Sequence, residues 1–217
     1  FRRDHYPFVG HFLDRDGIGM HYLDEGQGDA VVLLHGNPTW SFYYRKLVLG
    51  LRGKCRVIAP DHIGCGLSDK PDDDRYSHTL EKRVDDLDAL IAHAKLPEKI
   101  TLVMHDWGGM IGMAWAVRNP HRIGRLVLLN TAAFHLPPTK KLPPSLWLCR
   151  KTALDTLLIR KTGLFVRLVT RWGVRSRSLL PIERDAYLAP GSANAIRLAQ
   201  LRFVQDIPLS EEHPAYA

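Results

Sequence analysis

No stretch constrains the fold more than Ile100-Thr101-Leu102-Val103-Met104-His105-Asp106-Trp107-Gly108-Gly109-Met110. An apolar run from Ile100 to Met104 leads into Asp106, two glycines follow, and an apolar, helix-forming run continues to Val117. Strand, charged residue, helix is the layout of a nucleophile elbow. The sharp turn forces strained backbone angles on its central residue, and a side chain at Gly108 would collide with the strand. The apex residue is lifted towards the helix N-terminus, where backbone N–H groups can hold a carboxylate and then an oxyanion. The apex here is an aspartate, and a carboxylate nucleophile makes an ester or an anhydride with its substrate. The competing reading is a buried Asp106 that merely caps the helix starting at Trp107.

The segments around this turn set the fold class. Phe8 to Leu13 and Ile18 to Leu23 read as short strands joined by the turn Asp14-Arg15-Asp16-Gly17. Val31 to Leu34, Arg56 to Pro60 and Leu126 to Leu129 are continuous apolar runs, the mark of strands buried on both faces. Ser41 to Leu51 reads as a helix, and Thr79 can cap another whose stripe is Leu80, Val84, Leu87, Ile91 and Ala94. The elbow helix, apolar nearly all round, is expected to pack centrally and to end at Pro120. Strands alternating with helices predict an α/β fold, a mostly parallel sheet covered by helices on both faces. Ligands bind at the carboxyl ends of such strands. His35, Asp61, Asp106 and Asn130 all sit at those ends.

From Phe134 onward the pattern changes. Leu154, Leu157, Leu158, Phe165, Leu168, Val169 and Trp172 fall near helical spacing, Pro181 starts another helix, and Ser192 to Val204 reads as a third. The division is therefore a core over residues 1–133 and a helical cap or lid over 134–217. Charge follows the same division. Residues 136–177 hold ten Lys or Arg and one acid, Asp155, a net +9, whereas the whole chain carries +7. The basic character belongs to one segment, which reads as the wet outer face of a lid; the alternative is a docking surface for an acidic partner protein or an anionic membrane. No groove-reading motif accompanies the charge, so nucleic acid is not expected. Asp72-Asp73-Asp74 lacks the alternate spacing of a calcium loop and reads as solvated surface. Cys55, Cys65 and Cys149 are scattered and odd in number, which argues against disulfides or a metal knuckle. No transmembrane segment is expected, nor any metal or cofactor, and the cytoplasm is the default compartment.

Three pieces carry a resemblance: His35-Gly36-Asn37-Pro38-Thr39-Trp40, Asp61-His62-Ile63-Gly64-Cys65-Gly66-Leu67-Ser68-Asp69-Lys70-Pro71, and His105-Asp106-Trp107-Gly108-Gly109. Together, each at a strand end, they resemble the haloalkane dehalogenase branch of the α/β-hydrolase superfamily. With Ser41 to Arg45 and Met110 to Gly112 added, the chain looks most like the β-lactone decarboxylases of bacterial long-chain olefin biosynthesis. Those relatives convert cis-β-lactones to cis-alkenes and carbon dioxide. The resemblance implies Asp106 as nucleophile and backbone N–H groups at Asn37 and Trp107 as an oxyanion hole. It also implies that the Asn37 amide and the Trp107 indole hold the leaving atom. His35, Gly36, Pro38, His105 and Gly108 would support the pocket, the two histidines as hydrogen-bonded structural residues rather than bases. The substrate would be an apolar small molecule, and other enzymes of the olefin pathway are candidate partners. Haloalkane dehalogenase, epoxide hydrolase and a non-catalytic binding protein are the alternatives. An epoxide hydrolase would want lid tyrosines, and the lid holds only Tyr187 and Tyr216.

The pattern also departs from that family. A late histidine with an orienting acid is expected, yet only His121, His135 and His213 follow Asp106, and none follows a terminal strand. The chain therefore reads as a truncated piece of a longer enzyme, lacking the final strands and the catalytic histidine. As such it is expected to be inactive, with an unpaired sheet edge prone to association.

Overall fold

The computed structural model describes residues 5–131, 162–172, 178–192, 196–209 and 213. Six strands form one sheet: β1 (Gly10–Asp14), β2 (Gly19–Glu25), β3 (Ala30–Leu34), β4 (Arg56–Pro60), β5 (Ile100–His105) and β6 (Ile123–Leu129). Their order is β1-β2-β4-β3-β5-β6. β1, β2 and β4 pair antiparallel, and β4, β3, β5 and β6 pair parallel. The β1–β2 hairpin closes where sequence places it: the Asp14 carboxylate accepts the Gly17 N–H at 2.7 Å, and Gly17 has φ +77°.

Apolar residues alternate across the inner strands. Val32, Leu34, Ile58, Leu102 and Met104 face one core with helices α2 (Leu80–His93) and α3 (Trp107–Arg118). Val31, Leu33, Val57, Ala59 and Val103 face the other, where they meet Trp40, Phe42, Tyr44 and Val48. Side chains of a strand point alternately to opposite faces, so a continuous apolar run is what a doubly covered sheet requires. Thr79 caps α2, its hydroxyl oxygen accepting from the Lys82 N–H at 3.3 Å, and the whole predicted stripe from Leu80 to Ala94 is buried. Trp115 of α3 donates to Asp88 of α2 at 2.9 Å.

Four expectations need correction. Leu126 to Leu129 form a strand, but not a buried one: these residues are 37–51% exposed. β6 is the sheet's edge among the described residues, and an apolar run cannot tell an inner strand from an uncovered one. α3 is not apolar to the core all round, since Val117 is 77% exposed at its outer end. The segment after Trp40 opens with a 3-10 turn (Ser41–Tyr44) before helix α1 (Arg45–Leu51) begins. The last helix starts later than Ser192, after a 3-10 turn at Ala189–Ser192.

Beyond residue 133 three helices are described: α4 (Leu164–Trp172), α5 (Pro181–Leu188) and α6 (Ile196–Gln205). Leu154, Leu157 and Leu158 lie outside the described residues, as does most of the basic segment; Arg167 and Arg171 of α4 are exposed. Buried Arg45 donates to Glu183 of α5 at 2.5 Å, and the Trp40 indole N–H donates to the Ala186 carbonyl at 3.2 Å. Arg202 of α6 forks onto Asp73 at 2.9 and 2.6 Å, and Asp206 accepts the Leu80 N–H at 2.6 Å. The acidic run at 72–74 is therefore exposed, but Asp73 also ties α6 to the core. No described helix is long and apolar enough to cross a membrane.

Candidate active site

β3, β4 and β5 run parallel, so their carboxyl ends bring three loops to one edge of the sheet. Asp106 follows β5 directly and takes φ 52° and ψ −123°. A non-glycine residue at positive φ is strained, and such strain persists only where the surroundings fix it. Here they do. An oxygen of the Asp106 carboxylate, Oδ1, accepts the Asn37 N–H at 2.7 Å, and the Trp107 backbone N–H lies beside the carboxylate, where it favours the ionised form. The carboxylate makes no side-chain bond of the kind that caps α3, so the capping reading fails. The Thr131 hydroxyl donates to the Asp106 carbonyl at 2.5 Å.

Close approach explains the glycines. A Cβ on Gly36 would stand 2.3 Å from Asp106 Cβ and Oδ1, and one on Gly108 would stand 2.1 Å from the Leu34 carbonyl oxygen. Gly108 thus clears β3, the neighbouring strand, and lets the α3 N-terminus sit directly against it. The Asn37–Pro38 peptide is cis.

Burial pushes the Asp106 carboxyl above the usual carboxylate range, while the two backbone N–H groups and His105 oppose the rise. Burial lowers His105, with Asp106 opposing, and its ring stacks on Tyr43 at 4.5 Å and 19°. His105 Nδ1 is buried without a hydrogen-bond partner, so this residue packs rather than bonds. His35 is bonded at both ring nitrogens, Nδ1 to the Gly36 carbonyl at 3.0 Å and Nε2 accepting the His62 N–H at 3.1 Å. Burial holds it below the ordinary histidine range.

Helix α6 reaches this corner. The Asn37 amide Nδ2 donates to the Gln200 carbonyl at 3.1 Å, and the Trp107 ring lies 5.0 Å from Phe203 at 58°. Sequence reasoning missed both Gln200 and Phe203. It also missed the part played by Asp61, which accepts the Ser41 N–H at 2.6 Å, the Leu67 N–H at 2.8 Å and a bond with His21 Nδ1 at 2.9 Å. Burial would raise that carboxyl; the bond and charge of His21, the charge of His35 and the Leu67 N–H together outweigh it and hold Asp61 below the ordinary range. Asp61 is therefore a loop-ordering residue. The only signal in the chain was Gly66, where a Cβ would meet Asp61 at 2.3 Å.

The later histidines stand apart from this corner. His121 is exposed in the turn that precedes β6, and its carbonyl accepts from Lys99 at 2.6 Å. His213 lies 3.4 Å from Asp206 and lines a cavity of about 650 Å³ with Leu80, Val84 and Val117. His135 and Tyr216 lie outside the described residues. Tyr187 meets Phe42 edge-on at 5.1 Å, on the α5 side. Among the described residues no group of His, Cys, Asp and Glu could hold a metal ion.

Residues 29–148 match the family model described as alpha/beta hydrolase fold. The chain is 56% identical over 203 residues to a cis-3-alkyl-4-alkyloxetan-2-one decarboxylase of Shewanella oneidensis, covering 94% of this chain and 64% of that protein. It is 47% identical over 220 residues to a decarboxylase of the same name from Xanthomonas campestris, covering 98% of this chain and 73% of that one. The crystal structure of haloalkane dehalogenase DatA from Agrobacterium tumefaciens superposes with a TM-score of 0.84 at 27% identity, over 96% of this chain and 71% of that one. The chain thus spans just under two thirds of the length of the Shewanella relative.

Proposed function

Because the chain belongs to the α/β-hydrolase fold family, we propose that it is the nucleophile-bearing part of an enzyme that decarboxylates cis-3,4-dialkyl β-lactones to cis-alkenes. The single observation that carries the reading is the Asp106 carboxylate, held at an elbow by the Asn37 N–H with the Trp107 N–H beside it. The names of the Shewanella and Xanthomonas relatives supply the substrate class.

The clamp supports one of two attack sites. Attack at the lactone carbonyl would need the two N–H groups for the substrate's own oxyanion. The Asn37 N–H is already taken by Asp106 Oδ1, which favours attack by Oδ2 on the ring carbon bearing the lactone oxygen. That C–O bond breaks and its electron pair goes to the released carboxylate, leaving an alkyl ester on Asp106. The C–CO2 bond then supplies the π pair of the alkene, the ester C–O bond returns its pair to Asp106, and carbon dioxide departs. Inversion in the first step and anti departure in the second leave the two alkyl groups cis. Neither water nor a proton enters this balance. The second Asn37 amide N–H and the Trp107 indole would steady the departing carboxylate, the first amide N–H being held by Gln200. A cytoplasmic setting and docking against the enzymes that deliver the lactone belong to the same reading. Their support is the free Cys55 and Cys65 and the exposed bases of α4.

The test gives the full-length protein that carries this segment, and its Asp106→Asn variant, a cis-dialkyl β-lactone and, separately, a bromoalkane. Alkene from the lactone, lost in the variant, is the expected result. Bromide release without alkene would replace the reading by a dehalogenase. If there is no alkene, no bromide and no mass adduct on Asp106, the chain is not a nucleophilic enzyme at all.

A further inference from the structure

Arg83 lies on α2 and is only 2% exposed. Its Nε, Nη1 and Nη2 are all buried, and none meets an acceptor in good geometry, although the Tyr76 hydroxyl stands near. Asp86, one turn further along α2, is taken by Arg15 at 2.9 Å and by the Tyr76 hydroxyl at 2.7 Å. The contact Arg83 does make is aromatic: its guanidinium carbon stands 3.8 Å from the centre of the Phe203 ring. That ring is wholly buried and meets Trp107 at 5.0 Å and His62 at 6.1 Å. It belongs to α6, whose Gln200 carbonyl holds the Asn37 amide.

Packing alone does not account for an arginine here. A buried cation with unsatisfied donors opposes folding, and an apolar side chain of similar length would fill the space at less cost. What arginine adds is attraction to the face of Phe203, strengthened by the absence of water. Phe203 in turn touches the indole beside the nucleophile. We propose that Arg83 is a positioning residue: acting through the Phe203 ring, it fixes the Trp107 indole next to Asp106. The functional consequence, tighter hold on a leaving anion, rests on the role given to Trp107 under the proposed function. The positioning itself does not.

The experiment labels the five tryptophans with 5-fluorotryptophan, and Trp107→Phe assigns the Trp107 line in ¹⁹F spectra. In Arg83→Met the Trp107 line is expected to move or broaden while the Trp40 and Trp115 lines stay. The urea midpoint is expected to hold or rise. Arg83→Lys, which keeps charge but not the planar group, should fall between, and it carries the measurement if the Met variant does not fold. Bromide affinity read from the same line should weaken about tenfold in Arg83→Met, the scale of one desolvated cation–π contact. An unmoved Trp107 line in the folded variants overturns the proposal. So does a general shift of all five lines with a lowered midpoint, which marks Arg83 as plain structural support. A Trp107 line that answers to Arg83 but not to bromide upholds the positioning and counts against the leaving-group reading.

Discussion

Replacing Gly108 by alanine tests the close seating of α3 on β3. In an open helix this change would stabilise by about 1 kcal/mol. Here the added Cβ would stand 2.1 Å from the Leu34 carbonyl oxygen and 3.0 Å from that of His35, against an ordinary contact of 3.4 Å or more. The shortfall is borne by backbone on both sides, which cannot swing away. Overpacking costs roughly 1–3 kcal/mol when side chains can adjust, and more when they cannot. The net expectation is a loss of about 2 kcal/mol, or roughly 4–8 °C in Tm for a chain of this size. Gly112 supplies the control on the same helix. Its added Cβ would meet Met104 Sδ at 2.4 Å and Leu34 Cδ1 at 2.9 Å, both ends of side chains that can turn. Helix preference offsets that strain, so Gly112→Ala should lie within about 1 kcal/mol of the parent. Urea unfolding with matched slopes measures both. Displacing the α3 N-terminus also moves the Trp107 N–H away from the Asp106 carboxylate. Alkylation of Asp106 by a bromoalkane, followed by mass spectrometry, should therefore slow about 100-fold in Gly108→Ala alone. If the two variants unfold together, or if Gly108→Ala matches the parent, the seating argument is wrong.

Three further outcomes follow from the same geometry. Burial raises the Asp106 carboxyl, so the folded chain takes up that proton at higher pH than the unfolded chain, and ionised Asp106 opposes folding above its folded value. Asp106→Asn should raise stability near pH 7.5 by about 1 kcal/mol, and thermal melts should show the gain shrinking as pH falls towards the ordinary carboxylate range; a gain independent of pH would refute this. Glu183→Gln leaves Arg45 buried without its charge partner, and should cost about 3 kcal/mol in urea unfolding; a loss below 1 kcal/mol would mean that α5 is held by its apolar contacts. Leu128, 51% exposed on β6, is a candidate self-association contact, so Leu128→Lys should raise the concentration at which sedimentation detects dimers. An unchanged profile would place any association elsewhere.

The inner sheet was legible because a strand covered on both faces leaves an unmistakable apolar run, as at Val31 to Leu34. The elbow was legible because strain at Asp106 and clearance at Gly108 are solved within a few adjacent residues. β6 shows where that logic stops: Leu126 to Leu129 read like β5, yet burial depends on what covers a strand rather than on what it is made of. The α6 side of the site was hidden for a different reason. Asn37 and Gln200 are 163 residues apart, and the group that matters at 200 is a backbone carbonyl, which leaves no mark in the sequence. Arg83 read as one more charge on an amphipathic helix, and only the packed structure sets its guanidinium against an aromatic ring.

The hydrogen that grips the Asp106 carboxylate, from Asn37, and the Trp107 hydrogen beside it both belong to the main chain. Substitution at 37 or 107 by any residue but proline changes what surrounds the grip without deleting it. A lineage carrying this corner is free to exchange the side chains around it, and with them the bond it cleaves, while the acid stays poised. Its vulnerability lies in length: one residue gained or lost between β3 and the following turn would carry a hydrogen out of reach, and no choice of amino acid would bring it back.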